Sequence, residues 1–118
     1  MQDTLEQPIP LSITQTTTAG IRILVVGGEI DHDNADQLRQ ALHVDADAPA
    51  RFVLDLSAVT FMDSTAISIL VVANNTAGEA GGWLRLAAMS ESVQRVVEIV
   101  RLDTVLTCYL TLSQALAD

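Results

Sequence analysis

No lysine occurs among the 118 residues, and all six basic side chains besides the two histidines are arginine. A Walker-type phosphate loop requires a Lys, so P-loop chemistry is excluded. The same absence weighs against an aspartyl-phosphate receiver or phosphatase, which needs a Lys to balance phosphoryl charge. Fifteen Asp and Glu leave a formal net charge of -9, which repels a phosphate backbone and an anionic membrane surface. Neither direct nucleic-acid binding nor membrane binding is expected. Cysteine is nearly missing as well. The single Cys108 forbids an internal disulfide and offers no metal-ligand spacing, and among Val105, Leu106 and Leu110 it reads as a small buried residue. Aromatics make up only 3%, so the core must be built from Ile, Leu, Val and Ala. The longest largely apolar stretch, Ala66 to Ala73, is 8 residues with Ser68 inside it, far short of the roughly 20 that span a bilayer. The start, MQDTLEQP, is acidic and polar rather than signal-like, so the expected location is cytoplasmic.

What is present suits one folded domain. Hydrophobic residues reach 49% with only three Pro, and a chain of this length buries about two-thirds of the surface it exposes when unfolded. Residues 1–8 read as a flexible start and 9–118 as the domain. Ile9, Leu11 and Ile13 alternate with polar neighbours, a half-buried strand that Pro10 places at an edge. The run IRILVV (21–26) is its hairpin partner, ended by Gly27-Gly28. An acidic loop from Glu29 to Asp33 follows, with Asp33 and Asp36 resembling a capping box for a helix from Asn34 to about His43. RFVLDL (51–56) is apolar enough for a central strand, followed by a loop through Val59, Phe61 and Met62 and a helix from Ser64 to about Ala77. A strand at 83–87 precedes a helix capped by Ser90, on which Val93, Val96, Val97 and Val100 share a face. A strand at 105–109 and a short helix with a Thr111–Gln114 capping box end the chain. The predicted fold class is α/β: a mixed sheet of about five strands with about four helices mainly on one face, its parallel strands joined by right-handed crossovers. The six Arg read as solvated faces or isolated ion pairs, and Trp83 as cover for an edge of the core.

Catalytic signatures are missing. There is no G-x-S-x-G elbow, and His32 and His43 lie in or beside one helix, away from any nucleophile by spacing. A small enzyme or phosphocarrier built on His32 is the exotic alternative to a polar loop histidine. Asp31, Asp33, Asp55 and Asp63 suit a hard cation by chemistry, yet EF-hand spacing is lacking and Asp33 and Asp63 have capping duties. No metal, cofactor or catalytic residue is expected.

The informative stretch is VLDLSAVTFMDSTAISILVVA (53–73). Asp63 is a natural N-cap, which puts the Ser64 hydroxyl in the first turn, beside unpaired backbone N–H groups and the positive end of the helix dipole. From Ser64 to Gly78 the helix carries no charge; Ile67, Leu70, Val71 and Asn74 form its inward stripe. Ile69, Val72 and Ala73 widen the apolar surface, interrupted by Ser64, Thr65, Ser68 and Asn75. A helical face without charges is the composition of an interface core.

GEIDHDNADQL (28–38), FVLDLSAVTFMDSTAISIL (52–70) and MSESVQRVVEIVRLDTVL (89–106) together resemble a STAS domain, most closely the stand-alone anti-sigma factor antagonists of bacteria. The resemblance implies partner switching. The unmodified protein binds an anti-sigma factor that is also a GHKL-type serine kinase, which frees a sigma factor. The kinase then uses ATP to phosphorylate Ser64, with Thr65 the alternative acceptor, and lets go. A serine phosphatase reverses the mark. Asp31, His32, Asp63, Ser64, Thr65 and Ser68 are the implied partner-binding residues, in a monomer or weak homodimer. A constitutive adaptor role in a transporter or signalling scaffold is the alternative within the same fold. One position departs from the family: Ala66 stands where Gly is usual, and its methyl is expected to bear on how closely a kinase backbone approaches.

Overall fold

The computed structural model describes residues 9–44 and 50–117; the flexible start expected at 1–8 lies outside them. Five strands form one sheet in the order β1-β2-β3-β4-β5, with β1 (Ser12–Thr18), β2 (Ile21–Ile30), β3 (Arg51–Met62), β4 (Trp83–Ala87) and β5 (Thr107–Tyr109). β1 runs antiparallel to β2, and every later pairing is parallel. The hairpin closes through Ala19 and Gly20, both at positive φ (52° and 80°), the backbone a twisted two-residue turn requires. Thr18 pairs with Ile21 across it.

Two strands outrun their sequence signals. The glycine pair does not end β2, which continues to Ile30 through irregularities flanking Gly27 and Gly28. Gly28 has φ +86°, and a Cβ there would collide with the Pro10 carbonyl, so glycine lets the chain before β1 cross close to β2. Glu29 N–H donates to Ile9 O at 3.0 Å in that crossing. β3 likewise does not give way to a loop after Leu56; it pairs with the extension of β2 as far as Met62. Polar Ser57 and Thr60 blur the apolar run without breaking the strand, because this end of β3 faces solvent on one side.

Alternation along the strands divides the core. Leu24, Val26, Phe52, Leu54, Leu56, Leu84 and Leu86 face the larger cluster beneath three helices: α1 (Ala35–Ala41), α2 (Ser64–Glu79) and α3 (Glu91–Val100). Ile21, Ile23, Val53 and Ala87 face the other side, covered by α4 (Leu112–Ala117) through Ala115, Leu112 and Leu116. The α/β class and the weighting of helices to one face agree with the sequence pattern.

Helix starts and faces hold the corrections. α1 begins after Asn34 with no side-chain cap; Asp33 points outward instead of capping, its side chain 81% exposed. The buried stripe of α2 is Ala66, Ile69, Leu70, Ala73 and Ala77, while Ile67, Val71 and Asn74 are half-buried. Three alanines in that stripe bring the helix close to the sheet, and hydrophobicity alone undervalues them. In α3, Val93 and Val97 are buried but Val100 is exposed. The chain turns left-handed at Arg101 and makes a 3-10 turn over Leu102–Thr104, which delays β5 to Thr107. Both ends of the Thr111–Gln114 box are made: Gln114 N–H to Thr111 Oγ1 at 3.1 Å and Thr111 N–H to Gln114 Oε1 at 3.3 Å.

Two arginines are structural rather than solvated. Arg22 is buried over the Phe52 ring and donates to Ala41 O (3.0 Å) and His43 O (2.8 Å), binding the carbonyl end of α1 to the sheet. Arg85 lies 3.6 Å from the Trp83 ring centre and donates to Ala115 O at 2.8 Å, clasping α4. Cys108 is half-buried, and burial, with Asp103 second, raises its thiol pKa above the ordinary value.

Candidate functional site

Ile30 and Met62 are register partners at the ends of parallel β2 and β3, so the segments after them leave the sheet side by side. Asp63 joins the two. Its N–H donates to Ile30 O at 3.2 Å. Its Oδ1 accepts from Thr65 N–H (2.9 Å) and Ala66 N–H (3.1 Å), capping α2. Its Oδ2 accepts from the backbone N–H of His32 at 3.1 Å. One carboxylate therefore starts the helix and holds the acidic loop against it. Ser64, the first residue of α2, is exposed beside this junction.

The loop is shaped by reciprocal bonds. Asp31 Oδ1 accepts from the N–H groups of Asp33 (2.9 Å) and Asn34 (3.3 Å). Asn34 Oδ1 accepts in return from Asp31 N–H at 3.0 Å, and Asn34 Nδ2 donates to Glu29 O at 2.9 Å. Asp31 is half-buried and its carboxylate is committed to the turn. The residues that face solvent are His32 and Asp33. His32 Nε2 lies 3.3 Å from Asp33 Oδ1 and Nδ1 lies 3.9 Å from Asp63 Oδ2.

This geometry revises two details. The N–H groups of Thr65 and Ala66 are not left unpaired for a group on Ser64, because Asp63 occupies both. Charge added at Ser64 thus meets a carboxylate as well as the helix dipole. Ala66 is fully buried, so its methyl packs in the core and is not presented to a partner. Thr65 is half-buried and Ser68 exposed; both line a groove of about 330 Å³ between α1 and α2. One apolar side chain escaped the sequence reading: Phe61, 49% exposed, is next to the buried Met62 at the end of β3. Val72, counted by sequence in the apolar surface of α2, is 62% exposed there. Strand alternation carried on to Met62 would have turned Phe61 outward. Among the described residues no group of three or more His, Cys, Asp or Glu is placed to hold a metal ion. Nor, among them, is any helix long and apolar enough to cross a membrane.

A mixed five-stranded sheet with a serine-bearing helix start at the end of its parallel strands is the arrangement of a STAS domain. Residues 12–115 match that family's model, and the chain belongs to the STAS domain family. It is similar to the anti-sigma-F factor antagonist RsfB of Mycobacterium tuberculosis (strain CDC 1551 / Oshkosh), 31% identical over 113 residues that cover 95% of this chain and 92% of the relative. Among solved structures, an anti-sigma factor antagonist from Mycobacterium paratuberculosis superposes with a TM-score of 0.81 at 32% identity, covering 91% of this chain and 92% of that one. A sulfate transporter family protein from Wolinella succinogenes shares the fold, with a TM-score of 0.73 at 21% identity over 98% of this chain and 90% of that one.

Proposed function

We propose that this protein is an anti-sigma factor antagonist switched by phosphorylation of Ser64. In this reading the unmodified form docks a GHKL-type serine-kinase anti-sigma factor in the cytoplasm and frees a sigma factor. The protein itself catalyses nothing. Phosphorylation from ATP releases it, and a serine phosphatase restores it. The observation that carries the reading is the exposed Ser64 at the head of a helix without charged residues before Glu79, adjoining a loop whose acidic groups already crowd one end of the sheet. Asp63 is latched to that loop through His32, and Asp33 is exposed in it.

Phosphate adds roughly 1.5–2 negative charges at neutral pH. Beside Asp63 and Asp33 it increases like charge on a surface that otherwise offers Phe61, Thr65, Ser68 and Val72 for contact. About 3–4 kcal/mol lost from binding weakens affinity several hundred-fold, and repulsion with lost packing supplies that without refolding. The test is incubation with each GHKL-type kinase of the native host and ATP, with the modified residue located by mass spectrometry. Label on Ser64, together with kinase binding by wild type but not Ser64→Asp, is the expected result. No label from any kinase overturns the switch and leaves an unphosphorylated STAS adaptor.

A further inference from the structure

The groove between α1 and α2 has the size and lining of a small-molecule site. Its volume of about 330 Å³ falls at the lower end of the roughly 300–1,000 Å³ typical of ligand pockets. Leu42 and Val44 form one wall, and Ile69, Val72 and Ala73 the other. Thr65, Ser68 and Thr76 also line the α2 side. The one charged residue in the lining is Arg39, on a chain whose formal charge is -9. Arg39 pairs with Asp36, but both side chains are more than half exposed, so the pair is screened and held weakly. Arg22 anchors the end of α1 beneath the groove through Ala41 O and His43 O, which fixes one wall to the sheet.

We propose that this groove binds a small amphipathic carboxylate, with the acid group at Arg39 and an alkyl tail between Leu42 and Ile69. The apolar walls select the tail. A guanidinium forks well onto a carboxylate, and that contact selects the acid over the corresponding alcohol. Bound there, such a ligand lies against Thr65 and Ser68, within about one turn of Ser64. The proposal does not rest on phosphorylation of Ser64.

The test titrates the full chain, labelled with 15N, with sodium octanoate, 1-octanol and sodium acetate. Octanoate is expected to produce saturable amide shifts confined to α1 and α2, at least tenfold tighter than octanol, with acetate giving none. Arg39→Ala is expected to abolish the preference for octanoate over octanol. Thr76→Trp, which fills the groove from an exposed position, is expected to remove binding while the amide spectrum keeps its native dispersion. Shifts that do not saturate, that map to α3 or β5, or that are as strong with octanol as with octanoate overturn the proposal. Unchanged octanoate binding by a folded Thr76→Trp variant does so equally.

Discussion

The backbone N–H of His32 donates to the carboxylate of Asp63 at 3.1 Å across 31 positions of sequence, fastening the acidic loop to the head of α2. The other oxygen of that carboxylate holds Thr65 and Ala66. Helix start and loop are therefore one mechanical unit, and Asp63 is its joint.

Asp63→Ala should destabilise the fold by about 1–2 kcal/mol, the upper part of the range for a lost N-cap, because the loop latch goes with it. Asp63→Asn keeps one oxygen for the helix cap but turns an NH2 donor toward the His32 N–H, so it should keep the cap, lose the latch and be destabilised less than Asp63→Ala. Urea denaturation measures both, and the His32 amide resonance should move in each variant.

Ser64→Asp should leave stability within about 0.5 kcal/mol of wild type, since the side chain is exposed and the first helical turn accepts a carboxylate. Amide shifts should be confined to the ends of β2 and β3 and the first turn of α2. Changes spread across the sheet would mean that the switch works by rearrangement instead.

Arg22→Ala should cost about 2–4 kcal/mol, because it strands the Ala41 and His43 carbonyls at the end of α1. Arg22→Lys should recover only part of this, lacking the fork that reaches both oxygens. Hydrogen exchange in α1 should accelerate in both variants.

Two glycines should respond in opposite directions. Gly28→Ala places a methyl against the Pro10 carbonyl at a φ of +86° and should severely destabilise the fold. Gly78→Ala meets open space within α2 and should stabilise by roughly 0.5–1 kcal/mol. Thermal unfolding of the pair gives both signs.

Burial raises the Cys108 pKa above its usual 9.0, with Asp103 adding to the shift. The folded state thus holds its proton longer than the unfolded chain does. The stability this contributes is present below the ordinary thiol pKa and is lost as pH rises through the raised value. Alkylation of native Cys108 at neutral pH should be slower than that of the same residue in the denatured chain.

Much of the fold was legible because the signals were local. Ser90 and Asp63 announced their helices by side-chain chemistry, and Trp83 to Ala87 stood between glycines and a cap. Asp33 misled: it has the capping chemistry, but Asp31 claims its N–H and Asn34 takes the place before the helix. The reach of β2 and β3 was hidden because Gly27-Gly28 looks like a terminator, and only pairing with a strand 30 residues away keeps that backbone extended. Ser64 and Asp63 could be picked out by sequence as a helix start. Their fastening to His32, and the outward turn of Phe61, depend on that same distant pairing.

β4 accompanies β3 only from Arg51 to Asp55, and beyond that point β3 has β2 alone beside it in the sheet. Ser90 steadies the overhang from the other flank, its hydroxyl donating to Val59 O at 2.6 Å. Ser64 is thus carried at the tip of a two-stranded cantilever rooted in the five-stranded slab. Amide hydrogen exchange is therefore expected to be faster in this overhang than in the slab behind it.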